Sequence, residues 1–334
     1  MRMAWVGDDL VVLRALAPHG DVAGAKVIAI EGAPTTALFD KLSVYAGGAR
    51  ERRRTMAVMI VEVPHLLNAA GLSRAHSEVR MELVLRDGRT TSRTFTATDP
   101  PEIPYWPDRL SPEGFPGDPG LWKHALAPDD LSLYLRDFGD ERRVVAIEDS
   151  LFVQIKWSPR ARSLDEETFR SSLAAAMSAN PRNLIIDLRF DHGGSTPLST
   201  NIIKEAVGGQ IGRGGLVWLI LGPLTHESGI VAAATVVQAS DGRAIIVGEQ
   251  PGDRLRFWAS SGRECLESAQ ACVVWAGRRF DVASGCADPS CAPDHQGLFV
   301  EDLSPAIAAP LSAVAYLAGR DPALEAINAA SRRR

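Results

Sequence analysis

The sequence predicts an α/β protein: a mostly parallel sheet made of βαβ units, preceded by a smaller β-rich unit. Three observations carry this. Apolar runs suited to strands buried on both faces, NLIIDLRF from Asn183 and LVWLILG from Leu216, alternate with helical patterns of about ten to fifteen residues. The first 98 residues instead show alternating strand patterns broken by glycine and Asp-Gly turns. Between them, residues 99–142 hold DPPEIPYWPDRLSPEGFPGDPG, a composition dense in proline and glycine that reads as a linker. A chain of 334 residues exceeds the usual size of one domain, and its 46% apolar content is ample for a large core. The expected division is 1–98, the linker 99–142, and a domain at 143–334.

In chain order, DDLVVLRAL and AKVIAIEGAP are strand patterns, the second broken by Gly32 and Pro34. TALFDKLSVYAG places Leu38, Leu42 and Tyr45 at helical spacing, and VPHLLNAAGL is a short helix closed by Gly71. SEVRMELVLRDGRTTSRTFTA is a hairpin turning at Asp87-Gly88. This order resembles a PDZ-like module, a fold that binds peptide ends by strand addition. From Arg143, VVAIEDSLFVQIKW is a hairpin and LDEETFRSSLAAAMSAN an amphipathic helix. The strand NLIIDLRF, the helix TPLSTNIIKEAVGG, the strand LVWLILG, the helix IVAAATVVQA and the strand GRAIIVGE follow, with no internal repeat.

Composition narrows the function. A net charge of -5 with no basic stripe interleaved with aromatics gives no support for a nucleic-acid partner. The arginines between Arg50 and Arg54 read as a solvated loop or surface face. No apolar run reaches the roughly eighteen residues of a membrane span. The start MRMAWVGDDLVVL goes directly into a strand pattern without the regions of a signal peptide. The cysteines point outside the cytosol all the same. Cys265, Cys272, Cys286 and Cys291 are clustered in one Gly/Ser/Ala-rich insertion at 260–297, which reads as two disulfides and a periplasmic or secreted protein. Zinc is the rival reading, but CxxC spacing is absent and His295 is the nearby imidazole.

Two turns can carry chemistry. NLIIDLRFDHGGSTPLS ends an apolar strand in Gly193 and Gly194, whose lack of side chains lets backbone N–H groups approach a reacting oxygen. Their plainer role is a tight turn. LVWLILG leads through PLTHESG into a helical run, placing Ser228 where helical N–H groups favour developing negative charge. Its plainer role is an N-cap. An oxyanion hole and a nucleophile are the minimum equipment for acyl transfer.

DLRFDHGG, THESG and AIIVGEQPG together resemble the C-terminal processing (tail-specific) serine peptidases, the group that includes the tricorn core protease. Members pair a DLR-x-N-x-GG turn with a T-x-S-x-G/A turn and a VGE-x-T-x-G strand. The tail PAIAAPLSAVAYLAGRDPALEAI also looks like the family's ending, and the PDZ-like unit sits where such enzymes carry one. The resemblance implies a crotonase/ClpP-like βαβ core and peptide-bond hydrolysis through a Ser228 acyl-enzyme. It implies an oxyanion hole of N–H groups from Gly193 or Gly194 and from Gly229, with Asp187 and Arg189 as a structural pair that fixes the turn and Glu249 structural at its strand end. Where the family has Asn before the glycines, this chain has Asp191 or His192, and Pro251 replaces the Thr of the VGE motif.

The general base is the open question. Some relatives use a lysine about twenty-five residues after the serine, but the last lysine here is Lys204. Others take a histidine from a D-G-H-T or S-H-T segment ahead of the PDZ-like unit, and this sequence begins after that point. The local candidates are His226, two residues from Ser228, His192 beside the glycine turn, and Asp294, which could orient or assist a base. Trp218, Phe257 and Trp258 read as core and cleft wall. No cofactor or metal is expected, since no His/Cys/carboxylate constellation, phosphate loop or dinucleotide fingerprint is present. The expected partner is a peptide or protein substrate. The alternative from another class is a peptide-binding pseudoprotease, or truncated inactive homologue, that keeps the cleft without a working base. An acyl-CoA enzyme on the same fold would need an adenine or pantetheine site, of which the sequence has no sign.

Overall fold

Both expected patterns, the antiparallel and the parallel, are realised in separate compact units of the computed structural model, which describes residues 1–98, 109–113, 121–157, 165–193, 197–269, 271–291 and 295–334. In the first unit, β1 (Arg2–Val6), β2 (Asp9–Leu16), β3 (Lys26–Ile30), β4 (Ala33–Pro34), α1 (Thr35–Leu42), α2 (Arg50–Val61), α3 (Pro64–Ala69), β5 (Glu78–Val84), β6 (Thr90–Thr96) and β7 (Trp122–His124) succeed one another. The antiparallel sheet runs β1-β2-β3-β5-β6, with β4 on β3 and β7 on β2. Alternation explains which face is buried. Val79, Met81 and Leu83 point into a core with Leu38, Leu42, Val58 and Val61, while the side chains between them stay more exposed. Arg50 to Arg54 open α2 rather than a loop, and the Arg54 guanidinium lies 4.4 Å over the Trp5 ring.

The second unit opens with the hairpin β8 (Arg142–Ile147) and β9 (Ser150–Lys156), then α4 (Glu166–Met177), β10 (Asn183–Phe190), α5 (Pro197–Gly212), β11 (Leu216–Leu221), α6 (Ser228–Ala239) and β12 (Ile245–Gly248). A long hairpin, β13 (Arg256–Leu266) and β14 (Ala271–Asp281), precedes β15 (Ile307–Ala308). The main sheet runs β15-β12-β11-β10-β9-β8, parallel except for β8. Right-handed crossovers between sequential neighbours place every connecting helix on one face. The core agrees: Val153, Ile186 and Leu219 on successive strands pack in one cluster with Phe169 and Leu173 of α4, Ile203 and Val207 of α5, and Ile230 and Ala234 of α6. The other face carries Gln154, Asn183, Asp187 and Trp218, all buried and hydrogen-bonded, with Trp218 Nε1 donating to Asn183 Oδ1 at 2.9 Å. This mixed α/β arrangement matches the predicted class.

Two boundaries differ from expectation. The 99–142 stretch is not wholly linker, because β7 pairs with β2 and Leu131, Tyr134, Leu135 and Phe138 are buried. The segment Ala309–Arg334, with α7 (Ala313–Leu317) and α8 (Pro322–Ser331), groups with the first unit rather than the second. Proline and glycine density signalled turns there but could not report the apolar residues spaced between them.

All four cysteines are paired, Cys265 with Cys272 across β13 and β14 and Cys286 with Cys291 beyond the hairpin. Disulfides fit an oxidising compartment, extracellular or periplasmic. Among the described residues no helix is long and apolar enough to cross a membrane.

Two outcomes follow from these contacts. Denatured without reductant, the protein should take up no thiol reagent, and after reduction all four cysteines should react. In the first unit, burial and then the nearby Arg14 charge lower His124 to about 4. An unfolded histidine titrates near 6.5, so the stability due to neutral His124 is full above that value and declines as pH falls from about 6.5 toward 4. Urea unfolding at pH 7 and pH 5 should show a smaller difference in His124→Gln than in the wild type.

Candidate active site

The carboxyl ends of β9, β10, β11 and β12 lie side by side, the edge at which open parallel sheets place their sites. Loops leaving this edge are tied together by the backbone. Thr225 Oγ1 donates to the Leu188 carbonyl at 2.9 Å and accepts from Gly222 N–H at 3.1 Å, fixing the loop after β11 to the end of β10. His226 N–H donates to the Asp191 carbonyl at 3.0 Å, and Gly252 N–H to the Thr225 carbonyl at 3.0 Å. Close approach dictates glycine at two places. A Cβ on Gly229 would lie 2.1 Å from the Asp191 carbonyl oxygen, and one on Gly252 would lie 2.1 Å from the Pro223 carbonyl oxygen.

A buried ion pair sets the end of β10. Asp187 is fully buried; Arg189 Nε donates to its Oδ1 and Arg189 Nη2 to its Oδ2, each at 3.0 Å, and Gln154 Nε2 adds a third bond at 3.1 Å. The charged pair read from the sequence is thus formed. Its fork geometry satisfies the carboxylate without water.

Ser228 is the first residue of α6 and is partly exposed. Glu227 before it has φ 43° and ψ -108°, a conformation that non-glycine residues hold only where the surroundings enforce it. Here the enforcement comes from His226 N–H on the Asp191 carbonyl and Gly229 N–H on the His226 carbonyl, the latter at 2.7 Å. The Ser228 hydroxyl donates to Asp191 Oδ1 at 3.0 Å. Opposite lies Gly193 at φ +123°, where a Cβ would meet Glu227 Oε2 at 2.8 Å. Neither Gly193 N–H nor Ser228 N–H meets an acceptor among the described residues.

The predicted residues thus fall in two groups. Ser228, Gly193, Gly229, His192 and His226 are drawn to one edge. Gly194 and Asp294 lie outside the described residues. Gly229 differs from expectation in one respect, since its N–H is engaged by the His226 carbonyl and its more evident task is to admit the Asp191 carbonyl. Both histidines are buried: His192 stands edge-on to Trp157 at 5.1 Å between ring centroids and 6.5 Å from the His226 ring. His226 Nε2 lies 2.9 Å from the Pro223 carbonyl, which only accepts, so this nitrogen carries the proton. Trp258 is exposed on the β13–β14 hairpin rather than lining a cleft, because Phe257 and Phe280, stacked 4.9 Å apart, take the inward face. Among the described residues no three His, Cys, Asp or Glu side chains are grouped to hold a metal ion.

Sequence reasoning named Asp191 only as a departure from the family's Asn and did not count it among the candidate bases. It is 2% exposed and is the hydrogen-bond partner of the Ser228 hydroxyl. Its position between the Asp187-Leu188-Arg189 strand end and the glycines was the available signal. Replacing Gly229 with alanine should drive the Asp191 carbonyl from the head of α6, lowering stability by about 1–3 kcal/mol in chemical unfolding, the usual cost of overpacking.

Neither a family model nor a curated protein matches the sequence. In structure the chain is similar to mature CPAF, a chlamydial protease, with a TM-score of 0.54 and 12% identity over 99% of this chain and 80% of that one. It is equally similar to mature CPAF complexed with lactacystin, with a TM-score of 0.54 and 11% identity over 99% of this chain and 81% of that one. At such identity the likeness is one of fold: the chain has a CPAF-like fold.

Proposed function

We propose that this chain is a serine-type peptidase that cleaves peptide bonds through an acyl-enzyme on Ser228. The observation that carries the reading is the placement of the Ser228 hydroxyl: at the head of α6, behind a residue in the left-handed region, and across from the Gly193 turn. The CPAF-like fold and the resemblance of DLRFDHGG, THESG and AIIVGEQPG to tail-specific peptidases support it. In this reading Ser228 attacks the scissile carbonyl, and the oxygen that gains charge is received by backbone N–H groups. Gly193 offers one, Gly194 stands beside it in the chain, and the start of α6 offers that of Ser228, the Gly229 N–H being held by the His226 carbonyl. The positive end of the helix favours the same charge. The PDZ-like first unit would grip a substrate end by adding it as a strand, and the two disulfides suit work outside the cytosol.

A fluorophosphonate probe should label the chain on Ser228, located by mass spectrometry of the labelled peptide, and Ser228→Ala should abolish the adduct. Gly193→Ala puts a methyl group against Glu227 at a φ that alanine resists. It should slow labelling by about ten- to a thousandfold, the upper end corresponding to loss of one oxyanion donor. A folded chain that binds peptides yet never takes up the probe would favour the pseudoprotease reading.

A further inference from the structure

We propose that Asp191 is the general base of this site, taking the proton of Ser228 directly and later giving it to the leaving amine. The inference rests on Ser228 as nucleophile and adds the partner that the sequence left open. Among the described residues the Ser228 hydroxyl has one hydrogen-bond partner, Asp191 Oδ1 at 3.0 Å, within the reach required of a base. The backbone of Asp191 is held by groups other than the serine. Asp191 N–H donates to the Leu188 carbonyl at 3.1 Å, the Asp191 carbonyl receives His226 N–H at 3.0 Å, and the missing side chain of Gly229 lets that carbonyl sit against α6. At 2% exposure, bulk water does not compete for the carboxylate.

Among the described residues neither imidazole is bonded to the Ser228 hydroxyl. His226 Nε2 faces the Pro223 carbonyl, and His192 stands against Trp157. As Oγ bonds to the substrate carbonyl carbon, its proton passes to Asp191 Oδ1, leaving a neutral acid and an oxyanion. On collapse the C–N bond breaks, the same proton moves from Oδ1 to the departing nitrogen, and the acyl group remains on Oγ. Water then repeats the relay, its proton going to Asp191 and returning to Ser228 as the ester opens.

Asn at this position separates a base from a positioning group, because its amide oxygen can still accept the Ser228 hydrogen bond but cannot take the proton. Fluorophosphonate labelling rates of the full chain should fall about 10²–10⁴-fold in Asp191→Asn, the usual contribution of general-base catalysis, with thermal unfolding used to confirm a folded protein. Asp191→Ala should be equally slow and partly restored by added formate, a measurement that stands even where the Asn variant does not fold. Labelling of folded Asp191→Asn within about threefold of wild type would overturn the proposal, leaving Ser228 as the nucleophile, and so would loss of labelling in His192→Gln or His226→Gln with retention in Asp191→Asn. A wild-type chain that takes no probe removes the Ser228 assignment and this inference together.

Discussion

The carboxyl edge of the parallel sheet is organised by the close approach of the Asp191 carbonyl to the first turn of α6. That oxygen accepts the His226 N–H and occupies the space that a side chain on Gly229 would need. From this contact the neighbouring geometry follows. Glu227 is pinned in the left-handed region, Ser228 is turned toward β10, and the Asp191 carboxylate is brought within hydrogen-bonding distance of its hydroxyl. Strain of this kind costs of order 1–3 kcal/mol and persists because Thr225, His226 and Gly252 each add a backbone tie that a relaxed turn would break.

Buried charge is handled in the same way in both units, by forks rather than single contacts. Asp187 is met by two nitrogens of Arg189 and by Gln154, and Glu62 of the first unit accepts from Arg2 at 3.2 Å, from Arg109 at 2.8 Å and from the Met3 backbone. A carboxylate out of water is costly unless its lone pairs are occupied. Occupied in this way, each stiffens the elements that supply the donors. At β10 the stiffened element is the strand end from which the proposed base projects.

Much of the fold is legible in the sequence because its cause is local. The runs NLIIDLRF and LVWLIL are rich in apolar residues and buried on both faces, as strands covered on both sides must be, and Asp87-Gly88 makes the turn its composition demands. Ser228 and Gly193 are legible too, since each stands at a strand end next to turn residues. What escaped depends on contacts distant in the chain. The pairing of β7 with β2 joins residues more than a hundred positions apart, and a short Trp-Lys-His segment amid prolines carries no periodicity to announce it. Asp191 escaped for a subtler reason. A carboxylate beside glycines reads as turn chemistry, and only the 3.0 Å approach of Ser228 across the edge shows what it faces.

The monotonic order from β9 to β12 has a bearing on how the chain folds. Each parallel strand pairs with the next one made, so the chain closed into a loop at each step is one helix with its turns, shorter than a connection that skips a strand would be. Asp191 and Ser228 both lie within the span from Asn183 to Ala239, one strand-helix-strand-helix unit. Both partners of the bond are therefore made before β12 and the disulfide-bearing hairpin, while the tie from Gly252 to Thr225 is added only after β12. On a ribosome, this part of the site is complete in sequence while the cysteines are still to be added.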